Sequence, residues 1–281
     1  MIINVIADSF KDSIRLLPFL FVTYLVMEYL EHKAGGKLQS VIRGAGKGGP
    51  LIGGILGVFP QCGFSAAASN LYAGSIITMG TLLAVFLSTS DEMLPILISA
   101  NVGVTVIVKI LAVKVIVAAA AGFVVDFITR KGEKDMRIEH LCEQHHCHCE
   151  NGIWKSAMRH TVEIFIYIFL VSLVLNLLIA LVGEEILGGV ILNRPIIGSM
   201  ITGLVGLIPN CAASVIITQL YLGGVLDAGA MMAGLLSGTG VGLLVLFRVN
   251  DNRRENLRFT GLLYVTGVVA GIVVEMLGIT F

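Results

Sequence analysis

Two short stretches of this chain place an amide, a thiol and a proline side by side. Phe59-Pro60-Gln61-Cys62-Gly63 returns later as Ile208-Pro209-Asn210-Cys211-Ala212. Each interrupts an apolar run. Proline removes a backbone donor and disturbs the preceding turn. At bilayer depth such a break is tolerated only where the released groups are buried in protein or line a wet cavity. Gln61, Cys62, Asn210 and Cys211 are the side chains beside the breaks that could satisfy those groups or hold an ion. A single kink of this kind reads most simply as structural, with cysteine serving as a small apolar residue. Two kinks, each carrying amide plus thiol, point instead to a binding site.

A second pair of interruptions follows the first. Ser88-Thr89-Ser90-Asp91-Glu92 is matched by Ser237-Gly238-Thr239-Gly240. Small hydroxyl and glycine residues expose backbone donors and carbonyls, as an unwound ion site would. Asp91 and Glu92 can supply hard anionic oxygen ligands, or they can be an ordinary loop and helix cap. Asp227 lies in an otherwise apolar segment, where a carboxylate is costly. Ser65, Asn70, Ser214 and Gln219 complete the candidate binding set. Lys109, Lys114 and Glu163 are further charges in apolar runs; each has a simple reading as a paired or interfacial group and stays outside the set.

A third concentration of ligands lies between the two pairs. Residues 140–150 read His-Leu-Cys-Glu-Gln-His-His-Cys-His-Cys-Glu. Imidazole and thiolate are ligands for zinc, copper, nickel and related ions. His140, Cys142, His145, His146, Cys147, His148 and Cys149 are therefore candidate metal ligands. The spacing is too dense and irregular for a zinc finger, so the segment reads as a collector or sensor. A polar linker of biased composition, or thiols kept for redox regulation, are the plainer alternatives.

The elements that must hold these residues are apolar helices. Of 281 residues 56% are hydrophobic and only 14% charged, against about 25% charged in soluble domains. Apolar runs at 161–182 and 259–277 reach the roughly 20 residues a spanning helix needs. Strand alternation is absent, which argues against a membrane barrel. Acidic and basic residues at Asp8, Lys11, Asp12 and Arg15 precede the first apolar stretch, and no small-residue cleavage site follows it. That pattern reads as a first helix rather than a cleavable signal. The formal net charge of zero gives no electrostatic reason to expect nucleic acid.

The two pairs of breaks belong to a repeat. From Pro60 to Pro209 is a shift of 149 residues, and at that shift Ser65 meets Ser214, Leu71-Tyr72 meets Leu220-Tyr221 and Gly74 meets Gly223. Gly80, Ala84 and Ser88 meet Gly229, Ala233 and Ser237, and Gly122 and Asp126 meet Gly271 and Glu275. Such self-similarity marks a duplication. Matched loops then differ in charge. Residues 32–48 carry Lys33, Lys37, Arg43 and Lys47, whereas their counterpart carries Glu184 and Glu185 with Arg194 alone. Asp91 and Glu92 precede the last helix of the first half; Arg248, Arg253, Arg254 and Arg258 precede that of the second. By the positive-inside rule, equivalent loops face opposite sides.

The sequence thus predicts an all-α integral membrane protein of about ten transmembrane helices, built as two inverted five-helix repeats with broken helices. The first repeat spans 1–128, a cytoplasmic His/Cys-rich linker 129–156, and the second repeat 157–281. Inverted repeats with a site at their interface are a recurring transporter architecture.

At these motifs the chain resembles a ten-helix family of heavy-metal exporters, whose members are described as arsenic efflux proteins or manganese transporters. The resemblance rests on Phe59-Pro-Gln-Cys-Gly-Phe-Ser65, Ser88-Thr-Ser-Asp-Glu92, Ile208-Pro-Asn-Cys211 and Ser237-Gly-Thr-Gly-Val-Gly242, with the His/Cys-rich loop between them. It implies efflux across the cytoplasmic membrane.

The expected function is a secondary transporter, not an enzyme, exporting a metal or metalloid ion by alternating access at the repeat interface. Two thiols suit arsenite or a soft cation, while carboxylates and amide oxygens suit manganese. No Walker A loop is present, so ATP does not act through this chain. An oxyanion such as phosphate, held by helix N-termini and the Ser/Thr/Gly breaks, is the first alternative. A membrane enzyme is the second, but a lipid phosphatase needs a clustered glutamate and serine–arginine site, and an oxidoreductase needs paired outward cysteines. The expected partners are the bilayer and a small inorganic ion, with no cofactor; association into a homo-oligomer stays open.

Overall fold

A computed structural model describes residues 10, 14, 17, 18, 21, 22, 25, 48–59, 62–90, 92–129, 153–182, 195–279 and 281. The linker ligands His140 to Cys149, together with Gln61 and Asp91, lie outside the described residues. Where structure is described it is helical, without strands. In chain order the helices are α1 (Gly49–Leu56), α2 (Cys62–Ala73), α3 (Met79–Ser88), α4 (Met93–Ser99), α5 (Val104–Thr129), α6 (Ile153–Val182), α7 (Pro195–Gly206), α8 (Cys211–Leu222), α9 (Ala228–Ser237), α10 (Gly242–Val249) and α11 (Arg253–Met276).

Four segments among the described residues are long and apolar enough to cross a membrane. Two are continuous helices, α5 and α11. The other two run through breaks: Met79–Ser99 joins α3 to α4, and Ala228–Val249 joins α9 to α10. The broken pairs form the centre, because every residue of α9, and every residue of α3 after Met79, is buried. The long helices lie outside them. Val104, Val108, Ile116, Phe123 and Phe127 of α5, and Leu257, Val265, Val269 and Val273 of α11, are exposed. An apolar surface of that extent in contact with water would drive association; facing hydrocarbon it is at rest. The chain is a helical membrane protein.

The ends of the elements follow local chemistry. Thr78 caps α3, its hydroxyl accepting the Thr81 amide at 3.1 Å. Asn210 caps α8, accepting the Ala212 amide at 3.2 Å. Asn252 caps α11, its side-chain oxygen accepting the Glu255 amide at 3.4 Å and its side-chain nitrogen donating to the Glu255 carboxylate at 2.9 Å. At the other end of α2, the Ile76 amide reaches back to the Leu71 carbonyl at 2.8 Å; after α8, the Val225 amide does the same to Leu220 at 2.9 Å. Both closures need a left-handed residue, supplied by Ser75 at φ 54° and Gly224 at φ 70°.

Helix directions fix the role of α1 and α2. A Cβ at Gly49 would stand 2.2 Å from Thr81 Oγ1, one at Gly53 3.1 Å from Val85 Cγ2, and one at Gly57 2.0 Å from Ser88 Oγ. Contacts therefore advance together along α1 and α3, so the two helices run parallel. The chain must return to begin α3, and α2 carries it back. The pair α1–α2 is a hairpin that turns between Phe59 and Cys62. The later half repeats this. Thr202 donates to the Ala230 carbonyl at 2.7 Å, and a Cβ at Gly206 would lie 2.2 Å from the Gly234 carbonyl. So α7 runs parallel to α9, and α7–α8 is a hairpin with Pro209 and Asn210 at its tip.

The long helices run back against the broken ones and are clasped to them. Asp126 accepts the Gly80 amide at 2.9 Å and the Thr78 hydroxyl at 2.7 Å. One repeat length later, Glu275 accepts the Gly229 amide at 2.9 Å. Each clasp sits beside a backbone crossing only glycine allows: a Cβ at Gly80 would be 2.1 Å from the Gly122 carbonyl, and one at Gly229 2.6 Å from that of Gly271. A carboxylate at a helix N-terminus also meets the positive end of the helix dipole.

Candidate functional site

The two breaks meet in the middle of the molecule, each beside the end of the hairpin arm that runs parallel to it. The end of α1 lies against the first break, since Gly57 packs on Val85 and Ser88 at the end of α3. The second tip lies against the second break, where Gly206 packs on Gly234. The halves then exchange contacts reciprocally: α2 packs on α10, and α8 packs on α4. At the first of these crossings Ser69 donates to the Gly242 carbonyl at 2.8 Å and to the Ser65 carbonyl at 2.9 Å. A Cβ at Gly242 would fall 2.6 Å from that of Ser65, so glycine is required for the approach.

The two breaks are tied directly by a residue set aside in the sequence reading. Lys114 of α5 is completely buried. Its ammonium donates to the Thr89 carbonyl, in the first break, and at 3.1 Å to the Leu235 carbonyl, in the last turn of α9. Both acceptors lie at the C-terminal end of a half-helix, where carbonyls lack partners along the helix and the dipole is negative. A cation is the group such a position favours.

Buried hydroxyls are found in both breaks. Ser88, Thr89, Ser90, Ser237 and Thr239 are buried. Ser88 is satisfied by the carbonyls of Ala84 at 2.9 Å and Val85 at 3.1 Å, and Thr89 by Val85 at 2.8 Å. Ser237, one repeat length after Ser88, differs: its Oγ is the one buried side-chain oxygen or nitrogen among the described residues that has no hydrogen-bond partner. Burying a hydroxyl unpaired costs free energy; this oxygen stands against α11, where a Cβ at Gly267 would come within 2.4 Å of it. Thr239 turns its hydroxyl toward the Gly240 carbonyl at 3.4 Å.

The remaining sequence candidates divide by position. Ser65 and Asn70 are buried on α2, with Asn70 donating to the Ala66 carbonyl at 3.1 Å. Asn210 is buried at the second tip as the cap of α8. Cys211 is half-buried beside it, and the Ser214 hydroxyl returns to the Cys211 carbonyl at 2.8 Å. Cys62 begins α2. Glu92 is half-buried and precedes α4 without capping it through its side chain. Gln219 is exposed near the end of α8. Asp227 caps the far end of α9 by position, a helix length of about 15 Å from Ser237. Among the described residues no three His, Cys, Asp or Glu side chains group as a metal site. Of the other charges, Glu163 pairs with Arg159 at 3.1 Å on the exposed face of α6.

What sequence reasoning missed is Lys114. The signal was present, because a lysine in the middle of a spanning segment is a functional candidate by cost alone. It has no counterpart in the repeat, where Leu263 stands 149 residues later.

Residues 1–188 match the model of the family described as "Putative, 10TM heavy-metal exporter". The chain belongs to this family. The match takes in α1 to α5, hence the first tip, the first break and Lys114, and extends into the helix after the linker. No curated protein and no solved structure gives a significant match. Membership of an exporter family agrees with a membrane protein whose polar residues converge between broken helices.

Proposed function

We propose that this exporter is a secondary transporter that moves a metal or metalloid ion of the manganese or arsenic type out across the cytoplasmic membrane. The ion binds where the two breaks meet, and the two halves expose that point alternately. The observation that carries the reading is the bridge from Lys114 to both breaks. A residue joining carbonyls of opposite halves at buried helix ends lies where a rocking motion must open.

Inversion of the halves has support from geometry as well as charge. At 8 and 12 residues, α1 and α2 are about 12 and 18 Å long, too short for the roughly 30 Å hydrocarbon core. As hairpin arms they return to their own side. The first half then crosses through α3–α4 and α5, with the apolar stretch 16–30 read from the sequence as its third crossing; α6, α9–α10 and α11 do the same for the second. Ten apolar helical elements thus reduce to six crossings and two hairpins. Three is odd, as inversion requires, and the linker faces the cytoplasm.

One observation favours a second reading. A buried ammonium also suits an oxyanion such as phosphate or arsenate by the sign of its charge. Cellular accumulation separates the two. Cells making the protein are compared with cells making Cys62→Ala/Cys211→Ala or a version lacking residues 140–150, with manganese, zinc, arsenite and phosphate assayed together. One species is expected to fall with the intact protein, and the double cysteine change should abolish the fall. Retention of export by the linker deletion makes residues 140–150 a regulator. No change in any species sinks the export reading.

A further inference from the structure

Lys114 occupies a place built for a cation, and this has a consequence for how an exported cation would bind. We infer that the Lys114 ammonium is a tethered competitor: it fills the carbonyl site shared by the two breaks, and a transported metal cation binds there only as the ammonium is displaced. The inference rests on the export reading and assigns its substrate class as cationic.

The acceptors argue for it. Thr89 and Leu235 present carbonyl oxygens to the ammonium. Thr89 follows the last residue of α3 and Leu235 lies in the last turn of α9, so two half-helix dipoles direct their negative ends at one point. Carbonyl oxygens at such ends are the ligands by which broken-helix transporters hold small cations. An anion arriving there would meet the same oxygens and be repelled.

The position of the lysine explains why displacement is possible. Its Cα belongs to α5, a helix outside the two breaks, and a four-carbon stem carries the charge inward. Leaving the site needs side-chain rotation, not unfolding of either half. With the ammonium in place, the two breaks are held at a common distance and the halves are pinned. Once a metal cation takes the carbonyls, the pin is released while the carbonyls stay neutralised. Binding and the freedom to rock are thereby joined in one exchange, and the unloaded protein is kept from opening to both sides.

The test is manganese and zinc binding to the purified full chain by equilibrium dialysis at one fixed pH, for wild type, Lys114→Gln, Lys114→Met and Lys114→Arg. Gln keeps a donor for the carbonyls without the charge. Both neutral variants should bind the exported cation about tenfold or more tightly than wild type, because a unit charge in contact with the ion is removed. Lys114→Arg should stay within about threefold of wild type, since its charge remains. A merely structural lysine gives weaker binding or a lowered melting temperature on replacement, never a gain in affinity. Equal or weaker cation binding in folded neutral variants, alongside export by wild type, overturns the inference and leaves the export reading standing. Loss of phosphate or arsenate binding in Lys114→Gln overturns it in favour of the anion. Absence of any export by wild type removes the reading beneath it. If the neutral variants do not fold, wild type decides: manganese or zinc should raise the labelling of Lys114 by a small amine reagent severalfold, and unchanged labelling counts against displacement.

Discussion

The turns after α2 and α8 are built alike down to single hydrogen bonds, yet their left-handed residue differs. Gly74 and Gly223 both donate to the carbonyl four residues back at 2.9 Å, and the next residue takes positive φ in each. In the second half that residue is Gly224, which meets no steric penalty there. In the first it is Ser75, whose Cβ is disfavoured in that conformation. Ser75→Gly should therefore raise stability by about 0.5–1 kcal/mol, and Gly224→Ala should lower it by a similar amount. Thermal unfolding of the purified protein checks both, and shifts of equal sign would contradict the argument. The aligned glycines Gly74 and Gly223 were legible in the sequence as part of the repeat. That the strained residue is the one after them was not, because φ depends on how the turn closes. The same limit hid Lys114: its acceptors are backbone carbonyls, which have no residue type to recognise.

At the scale of elements, the clasp between a long helix and the start of a broken one decides how firmly the central helices are held. Asp126 accepts from both the Thr78 hydroxyl and the Gly80 amide, whereas the clasp recorded for Glu275 is the Gly229 amide. Hydrogen bonds to a charged acceptor are worth about 1.5–3 kcal/mol each when their loss strands a partly buried donor. Asp126→Ala should thus cost about 3 kcal/mol or more and lower the melting temperature more than Glu275→Ala. Asp126→Asn, which keeps one acceptor for the amide, should fall between Asp126→Ala and wild type. A double-mutant cycle with Thr78→Val should return a coupling well above the error of additivity, about 0.5 kcal/mol; additivity of the two changes would mean that no clasp exists. Sequence comparison of the halves had already matched Gly122 and Asp126 with Gly271 and Glu275. Their shared purpose became visible only with the packing, since a residue 46 positions away from its partner leaves no local pattern. The hairpin character of α1–α2 was hidden for a similar reason: a proline marks an interruption but not whether the chain continues or turns back.

For the whole molecule the decisive quantity is the orientation of one half relative to the other. Reciprocal packing of α2 on α10 and α8 on α4 is the pattern a two-fold relation gives, in which each contact is made twice. A two-fold axis lying in the membrane plane sends equivalent loops to opposite faces, in agreement with the reversed loop charges. Ile76 and Val225 test this directly. They are equivalent at the repeat shift, and each follows a hairpin in a turn between helices. Single cysteines at these positions, in a background without the native five, should react with an impermeant thiol reagent from opposite sides of sealed vesicles. Val225 is exposed and Ile76 partly so, which makes labelling rates differ without changing the side. Reaction of both from one face would mean the halves are parallel. Rocking about a midplane site would then lose its geometric basis, because parallel halves present their tips at the same depth and side, and exchange between two faces would need a motion other than a reversal of equivalent parts.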